Sequence, residues 1–334
     1  MKNTVTLLHG DGGSYTDSLI KEVFYRNFDN ELLISSMDAA VFKADKCNLA
    51  FTTDSFVVKP LVFRGGDIGK LAVCGTVNDL AAAGAKPLYL SCAVIIEEGF
   101  DIDLLTHIAQ SMGDVCKKTG VSIITGDTKV VEKGSADGLY INTSGIGEVQ
   151  QGYRPKQTAE EDRIIITGGI AEHGTTIAVE RYGIHFDGKF QSDCMPLNGI
   201  VDKLKKHFES IKIMKDPTRG GLATALNELA EFAKMGIVID EEAVPIKQEI
   251  KSVNELLGMD PLYLACEGRM IVVVEEKKCM EVLEDIRRIE GCENAAVIGS
   301  FSGSVMKNMV LMKTFIGGKR IIGPLEGTML PRIC

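Results

Sequence analysis

Acidic residues set where apolar runs stop are the first chemistry this sequence offers. Asp38 (in Ser36-Met37-Asp38-Ala39-Ala40), Asp54 (Phe51-Thr52-Thr53-Asp54), Asp79 (Val77-Asn78-Asp79-Leu80) and Asp127 (Ile124-Thr125-Gly126-Asp127-Thr128-Lys129) share such settings. Several carboxylates converging from one domain are hard oxygen ligands, which suit Mg²⁺ with a bound polyphosphate better than zinc or copper. Any one of them alone describes a turn or capping Asp; the combination is what points to a cation. Asp79 is the most informative, because it lies near the C-terminal end of an otherwise apolar helix stopped by Gly84 and Pro87. An anion there opposes the helix dipole by a few tenths to about 1 kcal/mol, so something positive should offset it. Lys129 suits neutralising a phosphate or poising a proton transfer, although taken alone it describes a solvated surface lysine.

Three further stretches carry reactive groups. Asp216-Pro217-Thr218-Arg219-Gly220-Gly221 places a permanently charged Arg and two bare backbone positions at a helix start, which suits an anion; a tight turn with an exposed Arg fits the same spacing. Glu267 interrupts the apolar stretch Leu264-Ala265-Cys266 just before a strand. Partial burial there would raise its pKa towards that of a useful general base, the alternative being a strand-edge Glu paired with Arg269. The segment from Gly323 to Cys334 holds two prolines and two glycines, excluding a stable helix or central strand, and finishes on a thiol. Extended at roughly 3.3–3.6 Å per residue, it spans about 40 Å, enough to enter a cleft or be handed to a partner. Met329, Leu330 and Ile333 argue for docking, and Arg332 favours a thiolate two residues away. From the tail alone, an acceptor thiol and a frayed end are equally admissible.

The elements that must hold these groups are those of an ordinary globular chain. Its 334 residues exceed one comfortable core, so two domains are expected. The first, residues 1–150, alternates strand-like segments (Thr4–Leu8, Leu32–Ser35, Asn48–Thr52, Leu88–Ile96, Ser122–Thr125, Gly138–Gly145) with helical periodicity at Gly69–Ala83 and Leu104–Lys118. A polar passage from Gln150 to Asp162 breaks the pattern. The second domain, 154–322, carries strands at Arg163–Thr167, Gly236–Asp240, Arg269–Val274 and Ala295–Ile298, with helices at Thr175–Arg181, after Gly221 and at Lys277–Glu290. Residues 323–334 are a flexible tail. The fold class is therefore α/β (α+β), in two domains with a ligand held between them.

Composition removes several functions. A net charge of -9, scattered Lys and Arg and no Trp argue against nucleic acid. No apolar run is long enough for a membrane span or signal peptide, and nine cysteines without a Cys-x-x-Cys pair fit a reducing compartment, so a cytoplasmic protein is expected.

His9-Gly10-Asp11-Gly12-Gly13, Asn78-Asp79-Leu80-Ala81-Ala82-Ala83-Gly84-Ala85-Lys86-Pro87, Thr125-Gly126-Asp127-Thr128-Lys129-Val130-Val131, Asp216-Pro217-Thr218-Arg219-Gly220-Gly221-Leu222-Ala223 and Pro331-Arg332-Ile333-Cys334 together resemble the HypE family of hydrogenase maturation proteins. This family sits in the ATP-binding superfamily that includes aminoimidazole ribonucleotide synthetase and selenophosphate synthetase. The resemblance covers essentially the whole chain. The inner motifs are those of the superfamily, and Pro-Arg-Ile-Cys narrows the match.

The resemblance implies a homodimer whose first domains join edge to edge into a β-barrel, with Mg²⁺ and ATP between domains. Cys334 would accept a carbamoyl group from the carbamoyltransferase HypF, and ATP-dependent dehydration would leave a thiocyanate on the sulfur. The cyano group would pass to iron on the HypC–HypD complex. By the same likeness Glu267 and Lys129 stand at the carboxamide, Asp38, Asp54, Asp79 and Asp127 hold Mg²⁺, and Thr128, Arg219 and Gly220 help bind nucleotide. Two departures stand out: relatives often carry Gly-Asp-Asp-Ala-Ala where this chain has Ser36-Met37-Asp38-Ala39-Ala40, and Asp11 replaces a small hydroxyl residue. A selenophosphate synthetase is disfavoured, since His9–Ser14 lacks the expected reactive Cys or selenocysteine with Lys. A non-catalytic ATP-binding scaffold that docks partners through its tail is the alternative of a different class.

Overall fold

A computed structural model describes residues 6, 9, 13–25, 27, 38–45, 47–184, 190–327 and 332–334. The strands expected at Thr4–Leu8 and Leu32–Ser35 fall largely or wholly outside these residues, as does Asp11.

After a short helix α1 (Ser14–Leu19), the first sheet is built from β1 (Ala40–Lys43), β2 (Asn48–Phe56), β5 (Ala85–Glu97), β6 (Ser122–Val131) and β7 (Leu139–Val149), with β3 (Val62–Phe63) and β4 (Gly66–Asp67) forming a small hairpin between. The order is β1-β2-β7-β5-β6, antiparallel except for the parallel pair β5–β6. Helix α2 (Ile68–Ala82) starts where Asp67 accepts from the Gly69 and Lys70 N–H groups at 2.7 and 3.0 Å, an N-cap. It is apolar on every side and accordingly buried, lying across the inner face of this sheet. The buried Thr143 hydroxyl of β7 donates to the Ala72 carbonyl (3.0 Å) and receives Thr76 Oγ1 at 2.6 Å, tying helix to sheet. Helix α3 (Ile102–Thr119) packs beside it through Ile108, Met112, Val115 and Cys116.

The second sheet has seven strands: β8 (Arg163–Ile166), β9 (Ile211–Lys215), β10 (Gly236–Asp240), β11 (Ile271–Val274), β12 (Ala296–Ser302), β13 (Val310–Lys313) and β14 (Lys319–Ile322). Their order is β14-β13-β10-β12-β8-β11-β9, with only β10–β13 parallel. Helices α4 (Glu172–Tyr182), α5 (Asn198–Leu204), α6 (Gly221–Ala233), α7 (Gln248–Leu257) and α8 (Cys279–Arg287) cover it. Ile271-Val272-Val273-Val274 is buried throughout, as an unbroken β-branched run in a central strand should be.

Two strands run longer than the apolar pattern suggests, and both extensions carry site residues. In β2, Ala50, Thr52, Asp54 and Phe56 alternate onto the α2 face, so the strand continues through Asp54 because that carboxylate points into a polar cleft. In β6, Asp127 and Lys129 pair in register with Ala93 and Ile95, whereas Cys92, Val94 and Ile96 pack on the core. The Asp127–Lys129 pair therefore lies on the opposite face. Asn78, fully buried on α2, joins the two halves: its Nδ2 donates to the Met195 and Glu267 carbonyls (3.1 and 3.2 Å) and its Oδ1 accepts from Leu197 N (2.7 Å).

Candidate active site

The C-terminal ends of β9 and α2, the inner face of β2 and the loop before β11 meet in one cleft. Asp38, Asp54, Asp79, Asp216 and Glu267 line it, with Arg219 and the Cys334 thiol among them. Asp38 is paired with Lys215, whose Nζ also reaches Glu228 at 3.0 Å. Asp79 accepts from the Thr52 hydroxyl at 2.7 Å. Glu267 is 2% exposed, and neither its Oε1 nor Asp216 Oδ2 has a hydrogen-bond partner.

Burial and mutual repulsion dominate the electrostatics. Burial, then Asp38, pushes Asp216 up to about 8 from an ordinary 3.8. Burial, then Asp54, raises Asp79 well above its usual range, and burial, then Asp216 and Asp193, does the same to Glu267. Asp54 is raised by burial, against the opposing pull of Arg219. The cation expected to offset Asp79 is Arg219, but its positive charge is shared with Asp54, Glu267 and above all Cys334. The cleft thus gathers more negative charge than the chain neutralises. Among the described residues no three carboxylate, imidazole or thiolate groups form a ready-made metal cage. Orphaned carboxylate oxygens with excess negative charge nevertheless fit Mg²⁺ arriving with a polyphosphate, which brings most of its own oxygen ligands.

Arg219 and Gly220 precede α6 as the glycine pair suggested. Gly220 has φ +75°, and a Cβ there would stand 2.1 Å from Thr224 Oγ1; no side chain caps the helix, whose first N–H, that of Gly221, donates to the Thr218 carbonyl at 2.9 Å. The thiol is seated by main-chain bonds: Val57 N donates to the Cys334 carbonyl (3.1 Å) and Lys59 N to that of Arg332 (3.3 Å). Burial pushes the Cys334 thiol up to about 12, with Arg219 pulling it down. Arg332 does not serve the thiol. Its guanidinium goes to Asp137 (2.5 Å) and the Val57 carbonyl (2.8 Å), so the nearby cation is Arg219 instead.

Asp127, Thr128 and Lys129 stand apart. Lys129 Nζ binds both Asp127 oxygens (2.6 and 2.7 Å), holding that exposed carboxyl below its ordinary range on the outward face of β6.

Two family models span most of the chain: AIR synthase related protein, N-terminal domain, over residues 36–149, and its C-terminal domain over residues 159–308. A carbamoyl dehydratase HypE of Rhizobium leguminosarum bv. viciae is 44% identical over 99% of this chain and 95% of its own length. The chain belongs to the HypE family. The carbamoyl dehydratase HypE of Escherichia coli K12 is 37% identical over 99% of this chain and all of that relative. A solved HypE–HypF complex superposes with a TM-score of 0.87 at 45% identity, covering 92% of this chain and 100% of that one. HypE in complex with ATP superposes at 0.83 and 42% identity, covering 99% and 100%.

Several residues of the cleft escape a reading of the sequence. Asp216 ends the apolar strand β9, the same signal that marks the other aspartates, but within its motif Arg219 draws the attention. Asn78 and Asp193, whose Oδ1 accepts from Glu267 N at 3.2 Å, give no local signal, because their partners lie far along the chain.

Proposed function

We propose that this HypE-family chain is an ATP-dependent carbamoyl dehydratase acting on its own Cys334, supplying the cyanide ligand of a [NiFe]-hydrogenase iron centre. The observation that carries this reading is the half-buried Cys334 lying in one cleft with Arg219 and a buried Glu267 whose Oε1 has no hydrogen-bond partner.

In the reaction the carboxamide oxygen of S-carbamoyl-Cys334 takes the γ-phosphoryl group of ATP, making a poor leaving group into a good one. Phosphate then departs with that oxygen, two N–H protons are lost, and S–C≡N remains, with ADP as the other product. Glu267 takes a proton from the nitrogen. Asp38, Asp54, Asp79 and Asp216 would hold Mg²⁺ with the nucleotide, whose positive charge, like that of Arg219, favours an ionised Glu267. Arg219 and the α6 start suit the phosphates. Burial disfavours a thiolate on the seated tail, which suits it to carrying cargo more than to attacking a carbamoyl donor. Acceptance of the carbamoyl group from HypF therefore belongs to the unseated tail, dehydration to the seated one, and delivery to HypC–HypD to the unseated tail again.

The homodimer supports the remaining residues. β6 is an edge strand exposed along its length, with Ile124 at 64% and Val130 at 67%, a surface that soluble proteins cover. A second copy joined there closes the sheets into a barrel and carries Asp127, Thr128 and Lys129 towards a neighbouring cleft. Mass spectrometry of the C-terminal peptide tests the enzyme: HypF, carbamoyl phosphate and ATP should add one carbamoyl group to Cys334, and ATP turnover should remove one water. Glu267→Gln should bind ATP and accumulate the carbamoylated form. Normal dehydration by that variant would exclude Glu267, and an unmodified peptide would favour the scaffold.

A further inference from the structure

The seated tail is gripped by its main chain, and the grip includes a histidine outside the reaction chemistry. His173 of α4 is fully buried, edge-on to Phe63 at 5.4 Å. Its Nε2 lies 2.7 Å from the Ile333 carbonyl and its Nδ1 2.8 Å from Ser192 Oγ. Burial pushes its pKa down to about 4, so at neutral pH the ring has one donor and one acceptor. The Ile333 carbonyl can only accept, so the neutral ring carries its proton on Nε2 and donates it to the tail, while Nδ1 accepts from Ser192 Oγ, itself an acceptor from Cys194 N (3.1 Å).

Arg181, about two turns further along α4, donates from Nη2 to the Arg332 carbonyl and to the Lys59 carbonyl, both at 2.7 Å. Gly174 leaves room for Ile333, whose Cδ1 would be 3.1 Å from a Cβ there. Arg332 itself adopts φ +55°, a left-handed conformation that residues with a side chain rarely take, so the seat must impose it. All three carbonyls from Arg332 to Cys334 are thus engaged, and none of these bonds involves the sulfur.

From this geometry we propose that His173 and Arg181 are positioning residues: a latch that seats the tail through its carbonyls and holds the Cys334 sulfur against Arg219 and Glu267. The latch rests on the proposed function only for its purpose. It acts alike on a free, carbamoylated or cyanated thiol, since the cargo hangs from an atom it does not touch. Its release falls to a partner that competes for those carbonyls or for Arg332.

Alkylation of Cys334 by iodoacetamide, followed on the C-terminal peptide of the full-length protein, reads seating directly. In His173→Phe and in Arg181→Ala the rate should rise about tenfold or more, while His173→Gln, which keeps a donor, should stay within about threefold of the parent. Arg181 is partly exposed, so its variant is informative even if His173→Phe does not fold. Unchanged alkylation in folded Arg181→Ala and His173→Phe overturns the latch. With pre-carbamoylated protein, the variants should lose dehydration rate in a single turnover while HypF-dependent carbamoylation is maintained or faster; the reverse pattern also overturns it. If the parent shields Cys334 in this way but never dehydrates its cargo, the proposed function fails and the latch stands.

Discussion

The two acidic regions of the first sheet face opposite ways and have opposite electrostatics. Asp54 on β2 and Asp79 on α2 turn inward, where burial and neighbouring carboxylates raise their pKa values. Asp127 on β6 turns outward, where Lys129 lowers its pKa. The inner cluster crowds more carboxyl groups together than Arg219 and Lys215 offset. The outer pair neutralises itself on a bare edge strand. Similar residues in similar apolar settings thus sit in opposite electrostatic surroundings, as the proposal requires if the inner set serves nucleotide and cation and the outer pair a second copy.

The largest test of that contrast mixes subunits. Lys129→Ala and Asp79→Asn should each lower dehydration at least 100-fold as pure proteins, the first with an unchanged melting temperature. If the outer pair serves a neighbour's cleft, random mixing of the two variants should restore about a quarter of parental activity, because only one site in each mixed dimer is whole. No recovery would return Lys129 to its own protomer or to the surface. A smaller effect comes from charging the edge: Ile124→Lys should shift the sedimenting species from dimer to monomer and reduce activity in proportion. A dimer that persists would put the interface elsewhere.

The smallest effect concerns the inner cluster alone. Asp216 is pushed from an ordinary 3.8 to about 8 in the folded protein, so between these values the native state holds a proton that the unfolded chain has lost. Stability without nucleotide should therefore fall as pH rises from 6 to 8, by about 1.4 kcal/mol per pH unit for each such group. Asp216→Asn should remove roughly one proton's share of the slope in denaturant titrations at several pH values; an unaltered slope would move the excess proton to another carboxyl.

Much of this was legible in the sequence because apolar periodicity and glycine punctuation are local. Helix α2, helix α3, the strand at Gly236–Asp240 and the start of α6 lie within a few residues of expectation. Polar residues inside strands were harder to see. Alternation is obscured when Asp54 replaces an apolar residue on the inner face, and it vanishes on β6, where every position but the last is exposed. β1, β9, β13 and β14 and helices α5 and α7 have patterns too short or too polar to announce themselves. The seat of the tail was out of reach for another reason: its bonds join residues far apart in the chain, and nothing near Ile333 names His173 as its partner.

That separation has a consequence for how the molecule is made. The nearest donor to the tail in chain order, Arg181, is translated 151 positions ahead of Arg332, and His173 160 positions ahead of Ile333. The donors that grip the tail therefore precede it in synthesis, and because they hold backbone carbonyls, the same seat would accept a tail whose final side chain had been exchanged.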